Sequence, residues 1–216
     1  MRGVGRLAVL VSAAFLIAAC ASKPSQPFHP TGSLPAGAPG PGSSSSRPQA
    51  DGLAWPPFGA QVHVIMPGWK PSKSREAAAV VVNKNFLLAL LYAEYRGNQD
   101  SRWQAYVSPR LQPALKAQLA KPDVTTESFT GTIRFSHMSA FPDPTVKGAL
   151  DVAQCFDNAK ATNTSISTGR PIPDHTPASQ HYYRTTNVLL PDQSGTWQVV
   201  AIYPTVYYPR APECKP

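Results

Sequence analysis

From Ala21 to Ala50, 18 of 30 residues are proline, glycine or serine, and no apolar period runs through them. Such a stretch cannot bury enough apolar surface to offset the entropy of ordering itself. The chain therefore divides into a short apolar leader, a flexible stalk and a remainder of about 160 residues that must supply the whole fold. With 5–6 Å × √n for a flexible chain, the stalk reaches roughly 30 Å.

The leader, MRGVGRLAVLVSAAFLIAAC, has the parts of an export signal. Arg2 and Arg6 make a positive start, Leu7 to Ala19 is almost unbroken apolar sequence, and Ala18 and Ala19 precede Cys20. As a helix those apolar residues rise about 20 Å, short of the roughly 30 Å hydrocarbon core. Ile17-Ala18-Ala19-Cys20 resembles the bacterial lipobox, in which a peptidase cuts before a cysteine that carries diacylglycerol. Residues 1–19 are thus expected to be a lipoprotein signal peptide, and 20–52 a lipidated Cys20 with its stalk. Residues 53–216 would form a single globular domain on the extracytoplasmic face of the cell membrane.

The chain holds three cysteines, Cys20, Cys155 and Cys214. If lipid consumes Cys20, Cys155 and Cys214 are free to pair in an oxidising compartment; two separate buried thiols are the alternative. No cysteine or histidine has a ligand partner at the usual short spacing, so no metal is expected, nor any other cofactor. The formal charge is +8, and removing the leader leaves 18 basic and 12 acidic residues. The basic residues are scattered singly, without the clustering or interleaved aromatics of a nucleic-acid face, so no nucleic-acid partner is expected.

Within the domain, Gln61 to Met66 reads as a short edge strand between prolines. Ser74 offers an N-cap, nothing from Arg75 to Arg96 breaks a helix, and Gly97 is a natural stop. Phe86 to Ala93 is apolar on every side, as in a helix sunk in a core. Trp103, Val107, Leu111, Leu115 and Leu119 then recur every four residues, interrupted by Pro109 and Pro113. Two short helices or a kinked one are expected there, with Ser108-Pro109 as a fresh start. Ile133 to Phe141 and Ala149 to Phe156 read as strands, and Asn158 to Gln180 as a long polar loop. Tyr182 to Leu190 and Trp197 to Tyr203 flank PDQSGT, a hairpin signal.

Helices followed by a meander of strands point to α+β, with N-terminal helices packed on one face of a curved antiparallel sheet. This order, with the closing "GTWQVVAIYP", resembles the cone-shaped fold of the nuclear transport factor two superfamily. The lipobox, the stalk, "VAQCFDN" and a C-terminal cysteine resemble the uncharacterised lipoproteins of that superfamily common in actinobacteria. The resemblance implies a domain that binds or scaffolds a protein partner or an apolar small molecule. It also allows an isomerase or cyclase working in the cone cavity, or a component of a secretion or conjugation assembly.

No catalytic constellation stands out. Asp151 has the opposite parity to Leu150 and Val152 and should face away from the core. Asp157 follows the last apolar residue and suits a turn cap. His137 shares the parity of Ile133 and Phe135, so it is expected to point inward. His181 reads as a rim residue beside Tyr182 and Tyr183, while His63 and His175 are isolated. Asn163-Thr164-Ser165 matches a glycosylation sequon and is read as chance. A pocket, if present, would draw on His137, Tyr182, Trp197 and Tyr203. Replacing Cys20 with Ser is expected to move the protein from the membrane fraction to the soluble one, checked by fractionation and immunoblotting; unchanged retention would contradict the anchor.

Overall fold

Helix α1 spans Ser74–Tyr95 and sets the position of everything that packs on it. The N-cap position falls to Lys73 rather than Ser74, and Lys73 Nζ lies 3.5 Å from Glu76 Oε1. At the other end Gly97 takes φ +62°, and Asn98 N–H returns to Ala93 O at 2.7 Å, closing the helix. By length and composition α1 could cross a membrane. It buries Ala79, Val80, Phe86, Ala89 and Leu90 in the protein core instead. The computed structural model describes residues 58–66 and 73–215, so the leader, Cys20, the stalk and much of the proline-rich lead-in lie outside the described residues.

The four-residue stripe after α1 is buried at every position, from Trp103 to Leu119. Its prolines divide it as expected. A 3-10 helix spans Arg102–Tyr106, and α2 begins only at Gln112–Leu119, with Pro113 in its first turn. Ser108-Pro109 forms a turn rather than a helix start, because Ser108 N–H is held by Val199 O at 2.9 Å on the sheet. A short α3, Pro122–Thr126, leads into the sheet.

The sheet is curved and unclosed, in the order β1 (Val62–Ile65), β2 (Glu127–Pro142), β3 (Leu150–Ser165), β4 (Tyr182–Pro191) and β5 (Trp197–Ile202). A two-residue β6, Val206–Tyr207, pairs with the start of β4. The expected antiparallel order holds from β2 onward, but β1 runs parallel to β2. The helical segments between them supply the crossover that a parallel pair needs.

β3 corrects the sequence reading, which gave residues 158 onward to a loop. The strand continues to Ser165 because the first half of β2 pairs with it, from Glu127↔Ser165 to Thr132↔Lys160. Asn163, in the sequon, donates to Glu127 Oε2 at 3.2 Å. Two register shifts, at Thr132/Arg134 and Ser136/Ser139, bend the long β2–β3 ribbon. Gly131 sits beside the first with φ +93°, where a Cβ would meet Lys160 O at 2.1 Å. Only glycine lets the two backbones approach there.

Between α1 and the sheet lies a closed chain of buried amides. Asn83 Nδ2 donates to Gln154 Oε1 at 2.8 Å, and Asn187 Nδ2 donates to Asn83 Oδ1 at 2.7 Å. Gln154 Nε2 in turn donates to Thr185 Oγ1. Asn83 and Gln154 are fully buried. The Sγ atoms of Cys155 and Cys214 lie at disulfide distance, 1.99 Å, on the other face of the sheet. A cross-link at a sequence separation of 59 stabilises a fold by about 4 kcal/mol in the chain-entropy account.

Replacing Asn83 with Leu strands Gln154 Oε1 and Asn187 Nδ2 together, each at about 1–3 kcal/mol. The variant should lose about 2–4 kcal/mol in urea unfolding; a loss below about 1 kcal/mol would show that the amides do not act as a unit.

Candidate functional site

Between α1 and the sheet, the expected location of a ligand cavity, the described residues leave little room. The remaining space has a volume of about 30 Å³, lined by Phe86, Leu90, Phe135, Phe156, Tyr183 and Asn187 among others. That admits about two waters. Tyr183 is the only titratable group in its lining; its hydroxyl is buried without a hydrogen-bond partner, and burial raises its pKa. Glu94, near the end of α1, is pushed up to about 8 by burial and by Asp123.

The larger opening, about 320 Å³, is on the opposite face of the sheet. Its floor is β3, where Asp151, Ala153 and Cys155 alternate with the core-facing Leu150, Val152 and Gln154. β2 contributes His137, Ser139 and Phe141; Arg184 and Thr186 come from β4, Tyr203 from beyond β5, and Glu213 from the tail. The far wall is an ion pair, Arg184 Nη1 to Glu213 Oε1 at 2.9 Å, held beside the Cys155–Cys214 link.

The chemistry centres on two carboxyl groups. Asp143 opens the loop between β2 and β3, and its Oδ1 accepts from Thr145 N (2.6 Å), Thr145 Oγ1 (2.7 Å) and Val146 N (2.6 Å). Tyr203 donates its hydroxyl to Asp143 Oδ2 at 2.9 Å. These donors, Thr145 first, hold Asp143 well below the usual carboxylate range. Asp151 faces Phe141 across the ladder and is 4% exposed. Burial, then its hydrogen bond to Asp143 and the Asp143 charge, pushes it up to about 6. Below about pH 6 the pair thus holds one proton, on Asp151, and Asp151 Oδ1 has no hydrogen-bond partner. The bond to Asp143 likewise raises the Tyr203 hydroxyl.

His137 departs from its expected direction. The register shift between Ser136 and Ser139 inserts residues into β2, so Met138 takes the inward place and His137 turns outward with φ +49°. Its Nδ1 lies 3.2 Å from Ser136 Oγ. Asp151 does face away from the helices, yet it is buried, with Asp143 hydrogen-bonded to it and Tyr203 beside the pair. The pocket therefore brings together His137 and Tyr203, but not Tyr182 or Trp197. Tyr182 is half-buried at the start of β4, and Trp197 packs on the helix side under the Arg75 guanidinium, 5.4 Å from its ring centre.

The remaining titratable residues serve local structure. His181 Nδ1 is 3.1 Å from Asn158 Oδ1 and its Nε2 3.5 Å from Asp174 Oδ2. Asp157 caps Ala159 N–H at 3.0 Å, while His63 and His175 are exposed. Among the described residues, no group of three or more His, Cys, Asp or Glu side chains is placed to hold a metal ion.

Comparison with known proteins adds little to this geometry. No protein-family model matches the chain, and no curated protein sequence does. Among solved structures it is similar to a ketosteroid isomerase-like protein from Erwinia carotovora atroseptica, at 14% identity and a TM-score of 0.42. The match covers 63% of this chain and 98% of that one.

The Asp151 shift has a definite sign. A carboxyl raised to about 6 in the fold contributes stability below its ordinary value near 3.8, and that contribution is lost as pH rises through 6. Asp151→Asn, which cannot ionise, should therefore gain on the parent protein by about 1–2 kcal/mol between pH 4 and pH 7.5, solvent at the pocket mouth screening part of the shift. Urea midpoints at the two pH values test this; a constant difference would show that Asp151 does not carry the proton.

Proposed function

We propose that this chain is a lipid-anchored extracytoplasmic binding protein, whose domain receives its ligand on the sheet face turned away from the helices. One observation carries the reading: the space between α1 and the sheet keeps about 30 Å³, whereas the opposite face opens a pocket of about 320 Å³. An isomerase or cyclase in the cone cavity would need room for a substrate beside a base and a donor. Tyr183 and Glu94 supply candidate groups for such chemistry, but the space between helix and sheet admits only water. The pocket on the outer face has a carboxyl pair and a hydroxyl without an activated nucleophile, which suits recognition better than turnover.

The anchor rests on the leader, the Ile17-Ala18-Ala19-Cys20 lipobox and the stalk, which with VAQCFDN, GTWQVVAIYP and the C-terminal cysteine resemble actinobacterial-type lipoproteins of the nuclear transport factor two superfamily. The Cys155–Cys214 pair at disulfide distance supports an oxidising compartment. A scaffold in a secretion assembly would call for a broad apolar docking face. Among the described residues the exposed large apolar side chains are few, and two of them, Phe141 and Tyr203, belong to the pocket itself.

Orientation is tested on wall-stripped intact cells with a membrane-impermeant, amine-reactive label. The domain's surface lysines should react without permeabilisation while a cytoplasmic control stays unlabelled. Labelling that appears only after lysis would overturn the extracytoplasmic reading.

A further inference from the structure

The pocket's polar groups are not all satisfied internally, and the exception points at a ligand. Asp151 is 4% exposed, lines the opening, and leaves Oδ1 with no hydrogen-bond partner. A buried acceptor left without a donor is destabilising by about 1–3 kcal/mol. The other lining carboxylate, Glu213, is engaged by Arg184, and Asp143, behind Asp151, by Thr145, Val146 and Tyr203. An N–H or O–H donor entering from the pocket would satisfy this atom, which the groups around Asp151 now close to solvent.

Charge narrows the choice. Asp143 is held ionised by its donors, and its negative charge has no cation paired with it among those contacts. The charge of Arg184 is balanced by Glu213 at 2.9 Å, so the lining carries no uncompensated arginine charge to draw an anion. Two aromatic walls, Phe141 at 43% exposure and Tyr203 at 36%, remain open to the pocket. Aromatic faces beside a carboxylate attract an ammonium group, through the ring quadrupole as well as through the ion.

We infer that this pocket recognises a small primary ammonium ion on a short apolar body, its N–H groups donating to Asp151 while Phe141 and Tyr203 flank it. The assignment rests on the proposal that this face is the binding face. Below about pH 6 the ammonium takes the place of the proton that Asp151 then carries, and that proton leaves to solvent; at pH 7.5 Asp151 is mostly ionised and little proton is released. The groups facing Asp151 are His137 from β2, Asp143 from the preceding loop, Arg184 from β4, Tyr203 beyond β5 and Glu213 from the tail. Of these, Asp143 carries the charge that makes the proton exchangeable for a cation.

The test is calorimetry on the full chain in detergent, with n-butylammonium, 1-butanol and butyrate as probes of one shape and three charges. Butylammonium should bind at least about tenfold more tightly than butanol at pH 7.5, with butyrate weakest. Its affinity should fall towards tenfold per pH unit below about 6, with proton release visible as buffer-dependent heat. Asp151→Asn should weaken butylammonium by at least about tenfold and abolish the pH slope. Phe141→Ala, at an exposed position, should weaken it about threefold even if the first variant fails to fold. Equal binding of butanol, or tighter binding of butyrate, would overturn the ammonium assignment while leaving the outer face as a binding site. Binding of none of the three, or binding indifferent to both substitutions, would overturn the pocket as well.

Discussion

One carboxamide joins the helical layer to the sheet. Asn83 projects from the middle of α1, accepts from Asn187 on β4 and donates to Gln154 on β3, all beneath apolar side chains. Apolar packing alone would let a helix slide along a sheet, since it has no direction. Hydrogen bonds to two neighbouring strands fix the position of α1 along the sheet, and every buried amide there needs a partner. The same amides fill space beneath α1, where an opening of about 30 Å³ lies against Asn187. The polar core thus specifies the helix position and fills the space beneath it together.

That filling gives the other face its importance. A sixteen-residue ribbon bent by two register shifts carries one set of side chains to the core and the alternate set to a shallow basin. The second shift turns His137 outward, and the hairpin loop brings Asp143 against Asp151. Two carboxyls in contact cannot both ionise freely, so their environments separate them: one held ionised by four donors, the other pushed up to about 6 by burial and by its neighbour.

The fold was legible where periodicity was strong. α1, the buried stripe from Trp103 to Leu119 and the β4–β5 hairpin follow from apolar spacing and turn chemistry. The second half of β3 was not, because Asn158 to Ser165 is polar and its strand character comes from pairing with β2. Parity misplaced His137, since a register shift inside a strand leaves no mark in composition. For Asp151 parity assigned the correct face but not its burial: Asp143 and Tyr203, beside it, come from outside its strand. Alternation cannot reveal that a nominally outer face is roofed. The filled space beneath α1 was equally hidden, as Asn83, Gln154 and Asn187 look like surface residues until their register is known.

The Cys155–Cys214 link has a consequence for where this protein can be whole. It lies on the basin side, next to Glu213 and away from the amide-tied layer of helix and sheet. A chain made where thiols stay reduced would lose about 4 kcal/mol of stability and, with it, the staple on its last few residues. The basin then stands open at one end, and Arg184 is left with a counter-ion on a loose strap. The redox state of one sulfur pair thus sets whether the basin keeps its far wall.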